Sequence, residues 1–317
     1  MWRWRAVSFQ HLLSHPNSTR LQALYPLVEP LVAQYIGNMT PHNGYPSDLS
    51  DARWELIAPV LTAWRAKRRQ FALDIGRPPE HDLRQIMNAI LYVDRTGIPW
   101  RYLPHDFPPH PTVYGYFAKW QQDGVFEQLT GLLRRLLREA EGRNSEPSAC
   151  VLDSQTIKTS ANVHLDNQGT DAGKRIIGRK RHFGCDTLGL LLTVLVTAAS
   201  VSDTAAGVTL LTRIAAAHPH VTKAWVDAGY RTTAINHGAR LGIDVHPVQR
   251  DPGTKGFKII PRRWTIERSI GWLMHHRRLA RDYETHPHRS EAMIHLAMID
   301  LMARRLTGEA TLNWRET

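Results

Sequence analysis

Glu146-Pro147-Ser148-Ala149-Cys150-Val151-Leu152-Asp153-Ser154-Gln155-Thr156 is the stretch at which the chain changes character. Before it, apolar residues recur at the spacing of one helix face. Here a Glu-Pro break opens a short apolar run that stops at an aspartate, which is the length and punctuation of a buried strand. The pattern returns at Ala224-Trp225-Val226, closed by Asp227 and followed by Ala228-Gly229-Tyr230. Working outward, strands are expected over residues 149–153, 182–186, 190–198, 223–227 and 243–248. Helices are expected over 204–217, opened by Ser202-Asp203, and over 232–241, 262–278 and 290–306. Three strands followed by alternating helices and strands make an α/β arrangement with a mixed sheet.

The preceding part reads as all-helical. Ser50 caps a helix with Trp54, Ile57 and Leu61 on one face, followed by the basic stretch Arg65-Ala66-Lys67-Arg68-Arg69 and a turn at Gly76-Arg77-Pro78-Pro79. A second helix over 81–95 carries Leu83, Ile86, Ile90 and Leu91 and breaks at Gly97-Ile98-Pro99-Trp100. After a proline-stiffened loop, Thr112 looks like the cap of a third, with Val113, Phe117 and Trp120 apolar, and 126–140 forms a fourth. Two helices around a tight break resemble a helix-turn-helix, which would offer Tyr114, Tyr116, Lys119 and Gln121 to DNA. The competing reading is a plain helical bundle with its aromatics in the core. The resulting division is a leader over 1–44, a helical unit over 45–145, the α/β unit over 146–308 and a tail over 309–317. Met39, just before Thr40-Pro41-His42-Asn43-Gly44, suggests that the compact protein begins near there.

Composition narrows the function. A formal charge of +11 over 317 residues suits a polyanionic partner, most simply nucleic acid, and a 42% hydrophobic content is ample for a core. Two cysteines make neither a disulfide framework nor a metal quartet, which fits a reducing cytoplasm. The 17 histidines show no zinc spacing, and no apolar run is long enough to span a membrane. The N-terminus lacks the apolar core and cleavage site of a signal peptide.

Three carboxylates carry the chemistry. Asp153 and Asp227 end apolar runs, and Glu267 lies in the first turns of a helix, in Arg262-Arg263-Trp264-Thr265-Ile266-Glu267-Arg268. Oxygen ligands of this kind suit Mg²⁺ or Mn²⁺, and a pair of such ions drives in-line displacement at phosphorus. Singly, each acid reads as a turn residue, a cap or a solvated ion pair; jointly they read as a site. Asp186, opening a turn, and Asp203, at a helix start, are competing carboxylates left outside the three.

With those residues in view, the chain resembles a bacterial DDE transposase of the insertion-sequence-five group in the insertion-sequence-four superfamily. The matching stretches run in order from about Tyr45 to about Leu306: Tyr45-Pro46-Ser47-Asp48-Leu49-Ser50, Leu91 to Trp100, Leu103-Pro104-His105-Asp106-Phe107-Pro108, Val151-Leu152-Asp153-Ser154-Gln155, Gly178-Arg179-Lys180-Arg181-His182, Ala224 to Tyr230, and Arg262-Arg263-Trp264 through Glu267 to Leu279. The resemblance implies an RNase-H-like catalytic domain behind a helical, helix-turn-helix-like DNA-binding domain. It maps the catalytic and metal-binding acids onto Asp153, Asp227 and Glu267, separated by 74 and 40 positions. It further implies two Mg²⁺ or Mn²⁺ ions and double-stranded DNA as partner, both terminal inverted repeats and target. A homodimer or higher oligomer on DNA and action in the bacterial cytoplasm at the nucleoid follow from the same likeness.

One departure from the family pattern concerns the last acid. Arg263 and Glu267 match the middle of the usual Tyr, Arg, Glu, Lys signature, but the tyrosine position holds Ile260 and the lysine position Met274. His275 and Arg277 are the nearby substitutes for a DNA-contacting cation. Arg179, Lys180, Arg181 and His182 read as a basic turn leading into a strand and serving phosphate contact, or else as a solvated hairpin tip. Arg263, one helical turn before Glu267, is placed to orient that carboxylate or bind a phosphate, or else to form a simple ion pair. Other functions compatible with the same residues are a nuclease that cuts without joining and a domesticated DNA-binding protein.

Overall fold

Ser50 begins the first helix, its hydroxyl accepting the amide of Arg53 at 3.2 Å, and α1 (Asp51–Gln70) follows. A computed structural model of the chain describes residues 44–70, 81–248 and 264–311. The expected turn at Gly76-Arg77-Pro78-Pro79, Arg263, and the leader over 1–43 lie outside them. The basic stretch from Arg65 to Arg69 forms the last turns of α1 rather than a loop after it. Cations are favoured there by the carbonyl end of the helix. α2 (Leu83–Thr96) opens at Asp82, whose carboxylate accepts the Arg84 amide, and closes at Gly97 with φ 76°. A side chain at Gly97 would also meet the Arg277 backbone at 3.1 Å, so glycine is required twice over. α3 (His110–Gln122) starts ahead of Thr112, because Pro111 fits the first helical turn, where its missing N–H costs nothing. α4 is Val125–Ala140. Phe117, Trp120 and Phe126 pack ring against ring between these helices, so this part of α3 belongs to the core.

The sheet begins with β1 (Ala149–Lys158), then β2 (Gly169–Asp171), β3 (Ile176–Asp186) and β4 (Leu191–Ala198). Next come α5 (Asp203–Ala217), β5 (Lys223–Val226), α6 (Thr232–Arg240) and β6 (Asp244–Pro247). α7 (Trp264–Leu273) and α8 (Pro287–Leu306) complete it. β3 pairs antiparallel with β1, β2 and β4, while β1, β5 and β6 run parallel. This mixed sheet with helices on both faces is an RNase-H-like fold. β1 and β3 are longer than their apolar runs because Ser154 to Lys158 pair with Gly178 to His182; pairing partners, not hydrophobicity, carry these ends. The same pairing adds β2, which has no apolar pattern. α7 is shorter than its periodicity, ending at Leu273 before a 3-10 turn over Arg277–Leu279.

Alternation along the strands divides the core. Cys150, Leu152, Ala224 and Val226 face α5 and α6. Val151, Phe183 and Trp225 face the other way, into a core that continues through α7, α8 and the four first helices. Residues from Tyr45 onward form one compact unit, so helices and sheet share this core across the change of secondary structure near residue 146.

Candidate active site

The parallel pairing of β1 with β5 sets Val151 opposite Trp225. Carrying the register on by two residues brings Asp153 level with Asp227, which directly follows the last residue of β5. The separation of these acids in sequence is therefore the register offset of the two strands. Asp153 is 9% exposed, at the rim of the core, and its Oδ1 accepts the Ser154 amide at 2.7 Å. Asp227 Oδ1 accepts the Gly229 amide at 2.8 Å.

A third carboxylate, Asp203, lies beside the loop that follows Asp227. A Cβ on Gly229 would stand 3.0 Å from Asp227 Oδ1 and 3.4 Å from Asp203 Oδ2, so the two side chains flank one glycine. Ser202, not Asp203, caps α5, accepting the Ala205 amide. Asp203 Oδ1 instead accepts the Ser154 hydroxyl at 2.8 Å and lies 3.4 Å from Lys180 Nζ. Thr204 donates to the Gly229 carbonyl at 2.9 Å and accepts the Arg231 amide, pinning the loop after Asp227 to the start of α5. Burial pushes His182 down to about 4, so beside Asp203 it is neutral near pH 7 and Lys180 supplies the cation. Asp203, which the sequence offers as a competing carboxylate at a helix start, thus sits between β1, β3 and the loop after Asp227.

Glu267 is placed differently. α7 lies along β1 on the Asp153 face: Ser269 donates to the Gly189 carbonyl at 2.7 Å, and Gln155 Nε2 donates to Met274 Sδ at 3.7 Å. The helix buries Ile266, Ser269 and Leu273, which turns Glu267 outward. Among the described residues no three His, Cys, Asp or Glu side chains stand close enough to hold a metal ion. Asp153 and Asp227 offer the hard oxygen donors that Mg²⁺ or Mn²⁺ takes, and Glu267 offers a third from the exposed side of α7. Met274, at the position of the missing lysine, packs against the core.

The basic run at residues 179–182 corrects the sequence reading. Arg179, Lys180, Arg181 and His182 form neither a turn nor a hairpin tip: they lie inside β3, all buried. Arg179 donates to the carbonyls of Asn167, Glu284 and Thr285 and pairs with Asp282 at 3.2 Å. Arg181 donates to the Leu279 carbonyl at 2.7 Å, and Lys180 to that of Val201 at 3.1 Å. These contacts turn the side chains inward, where they brace the sheet. The turn falls at residues 172–175, where Lys174 and Arg175 are exposed. Of the other DNA-contact candidates, Tyr114 is exposed and set edge-on against Trp100, and Lys119 pairs with Asp123 at 2.9 Å. His275 is half-buried, its pKa lowered first by burial and then by Arg95; Arg277 is exposed.

Comparison with known proteins gives three matches. A domain family described for transposases of the IS4/5 family (DUF4096) matches residues 49–130, and the transposase DDE domain matches residues 144–301. The insertion element IS402 uncharacterized 16.2 kDa protein of Burkholderia cepacia is 31% identical over 112 residues, which is 35% of this chain and 72% of that protein. No solved structure matches the chain.

Proposed function

This chain belongs to the DDE transposases of the IS4/5 family, and from that premise we propose that it cuts DNA at the ends of its own insertion sequence and joins the freed 3′-hydroxyls to target DNA. Asp153, Asp227 and Glu267 are the catalytic and metal-binding carboxylates in this reading. The observation that supports it most directly is the register that sets Asp153 level with Asp227 on neighbouring parallel strands.

Members of the family work with divalent metal ions; here two Mg²⁺ or Mn²⁺ would activate the attacking oxygen and stabilise the leaving one. The chain's own part is to hold the donors. Backbone amides of Ser154 and Gly229 fix one oxygen of each aspartate. Asp203 ties β1, through Ser154, and β3, through Lys180, to the start of α5, and Thr204 ties the loop after Asp227 to the same place. No side-chain nucleophile is called for. Cys150, its thiol pushed up to about 12 by burial, and the buried Cys185 are unsuited to be one. The partners are terminal inverted repeats and target DNA in the bacterial cytoplasm, with two or more copies bringing the element ends together. No helix of the described residues is long and apolar enough to cross a membrane.

The test is cleavage of labelled duplex carrying the element's ends, with Mg²⁺ or Mn²⁺, by wild type and Asp227→Ala. Metal-dependent nicking lost in the variant while DNA binding persists is the expected result. Equal nicking by both proteins would refute the site, and nicking without strand transfer would favour a nuclease.

A further inference from the structure

The helical region carries a groove of about 440 Å³ that shares no lining residue with the acid site. One wall is the end of α1, where Arg65, Arg68 and Arg69 recur at helical spacing and so lie along one face. The other is the outer side of α3, with Tyr116 and Lys119. Trp64 and Tyr116 meet at 5.9 Å between ring centroids and form an aromatic floor. Arg68 lies over Trp64 at 5.3 Å and Arg65 over Tyr116 at 5.9 Å, so both guanidiniums are held in place before any ligand arrives. Arg65 is fixed further by donating to the His81 carbonyl and the Tyr116 hydroxyl.

Two features mark the groove as open and unbalanced in charge. Gly115 lies on it mid-helix, where nothing stands within 4 Å of a would-be Cβ. A glycine there weakens α3 relative to alanine, and any side chain would project into the groove. Against its four cations, Asp123 at one end pairs with Lys119 at 2.9 Å and Arg68 at 3.6 Å and accepts Trp64 Nε1 at 2.9 Å. Exposed pairs of this kind contribute little, so the cations remain available to a stronger polyanion.

We propose that this groove anchors the sugar–phosphate backbone of duplex DNA, apart from the catalytic acids. The inference rests on the transposase reading for its partner and adds the place where the duplex is held. Arginines stacked along one helix face suit successive phosphates, and the aromatic floor suits the deoxyribose between them. The anchor is independent of sequence, since phosphates carry none.

The experiment is fluorescence anisotropy with a short labelled duplex of arbitrary sequence, over a range of salt, using the full chain. Gly115→Glu, which sets an acid in the groove, should weaken binding about tenfold at low salt and reduce the slope of log affinity against log salt by about one. Its melting temperature should stay within a few degrees of wild type. Gly115→Lys, of similar bulk and opposite charge, should bind as tightly as wild type or better. Binding and slope unchanged in Gly115→Glu would overturn the proposal. Equal loss in both variants would overturn its electrostatic basis, and preference for a single-stranded probe would overturn the duplex. A wild type that cuts element ends while Gly115→Glu binds normally removes the groove alone; one that neither binds nor cuts removes the transposase reading with it.

Discussion

Two basic runs, Arg65-Ala66-Lys67-Arg68-Arg69 and Arg179-Lys180-Arg181-His182, look alike in sequence and end in opposite surroundings. The first closes a helix, and its cations stand over aromatic rings on an open groove. The second lies in the middle of a sheet, flanked by β1 and β4, buried, with Arg179 spent on Asp282 and three carbonyls. The difference lies in backbone pairing. A helix satisfies its own amides and leaves its side chains to the surface, whereas a central strand is covered on both faces. Local charge density therefore does not identify a nucleic-acid surface; where the donors are spent does.

This contrast can be broken most severely at Arg179. Its fully buried guanidinium serves Asp282 and three carbonyls, so Arg179→Ala should cost roughly 3–5 kcal/mol in chemical denaturation. A loss below about 1 kcal/mol would mean that the buried run is not a brace. The next effect is acid sensitivity. His182 falls from an ordinary 6.5 to about 4 on burial, so the unfolded chain binds its proton more readily. The corresponding stability is fully present above pH 6.5 and is lost as pH falls toward about 4. It amounts to something on the order of 3 kcal/mol. Stability curves of wild type and His182→Gln should separate in slope across that window; parallel curves would remove His182 as the cause.

Smaller still is Asp203→Asn, which weakens the link to Ser154 and Lys180. It should cost about 1–2 kcal/mol and lower cleavage while leaving duplex binding at the wild-type level. Unaltered cleavage would make Asp203 structural only. The smallest effect on stability belongs to the exposed run. Arg69→Ala should change stability by less than about 0.5 kcal/mol and reduce the salt slope of duplex binding by about one. A large loss of stability there would erase the distinction between the runs.

Much of this was legible from residue types alone. Ser50 and Ser202 announced helices because a hydroxyl before an apolar face has one common use. The runs ending in Asp153 and Asp227 announced strands because only a buried strand is so short and so apolar. What stayed hidden depends on partners far along the chain. Arg179 and Arg181 cannot be read as buried without Asp282 and the carbonyls after it. β2 carries no pattern of its own, and Asp203 lies beside the loop after Asp227 because Thr204 pins that loop to the start of α5. Glu267 was found by its neighbours in sequence, but its outward face on α7 follows from which residues of that helix meet the sheet.

The level pairing of Asp153 with Asp227 constrains how a chain of this kind can change length. Residues added to loops or helices between the two acids alter the count and leave the geometry alone. One residue added inside β1 or β5 shifts parity, sending an acid to the opposite face of the sheet while every apolar neighbour changes sides with it. Insertions and deletions are therefore tolerated in the connections and forbidden inside these two strands, so the number of residues between the acids can drift while the face each one occupies stays fixed.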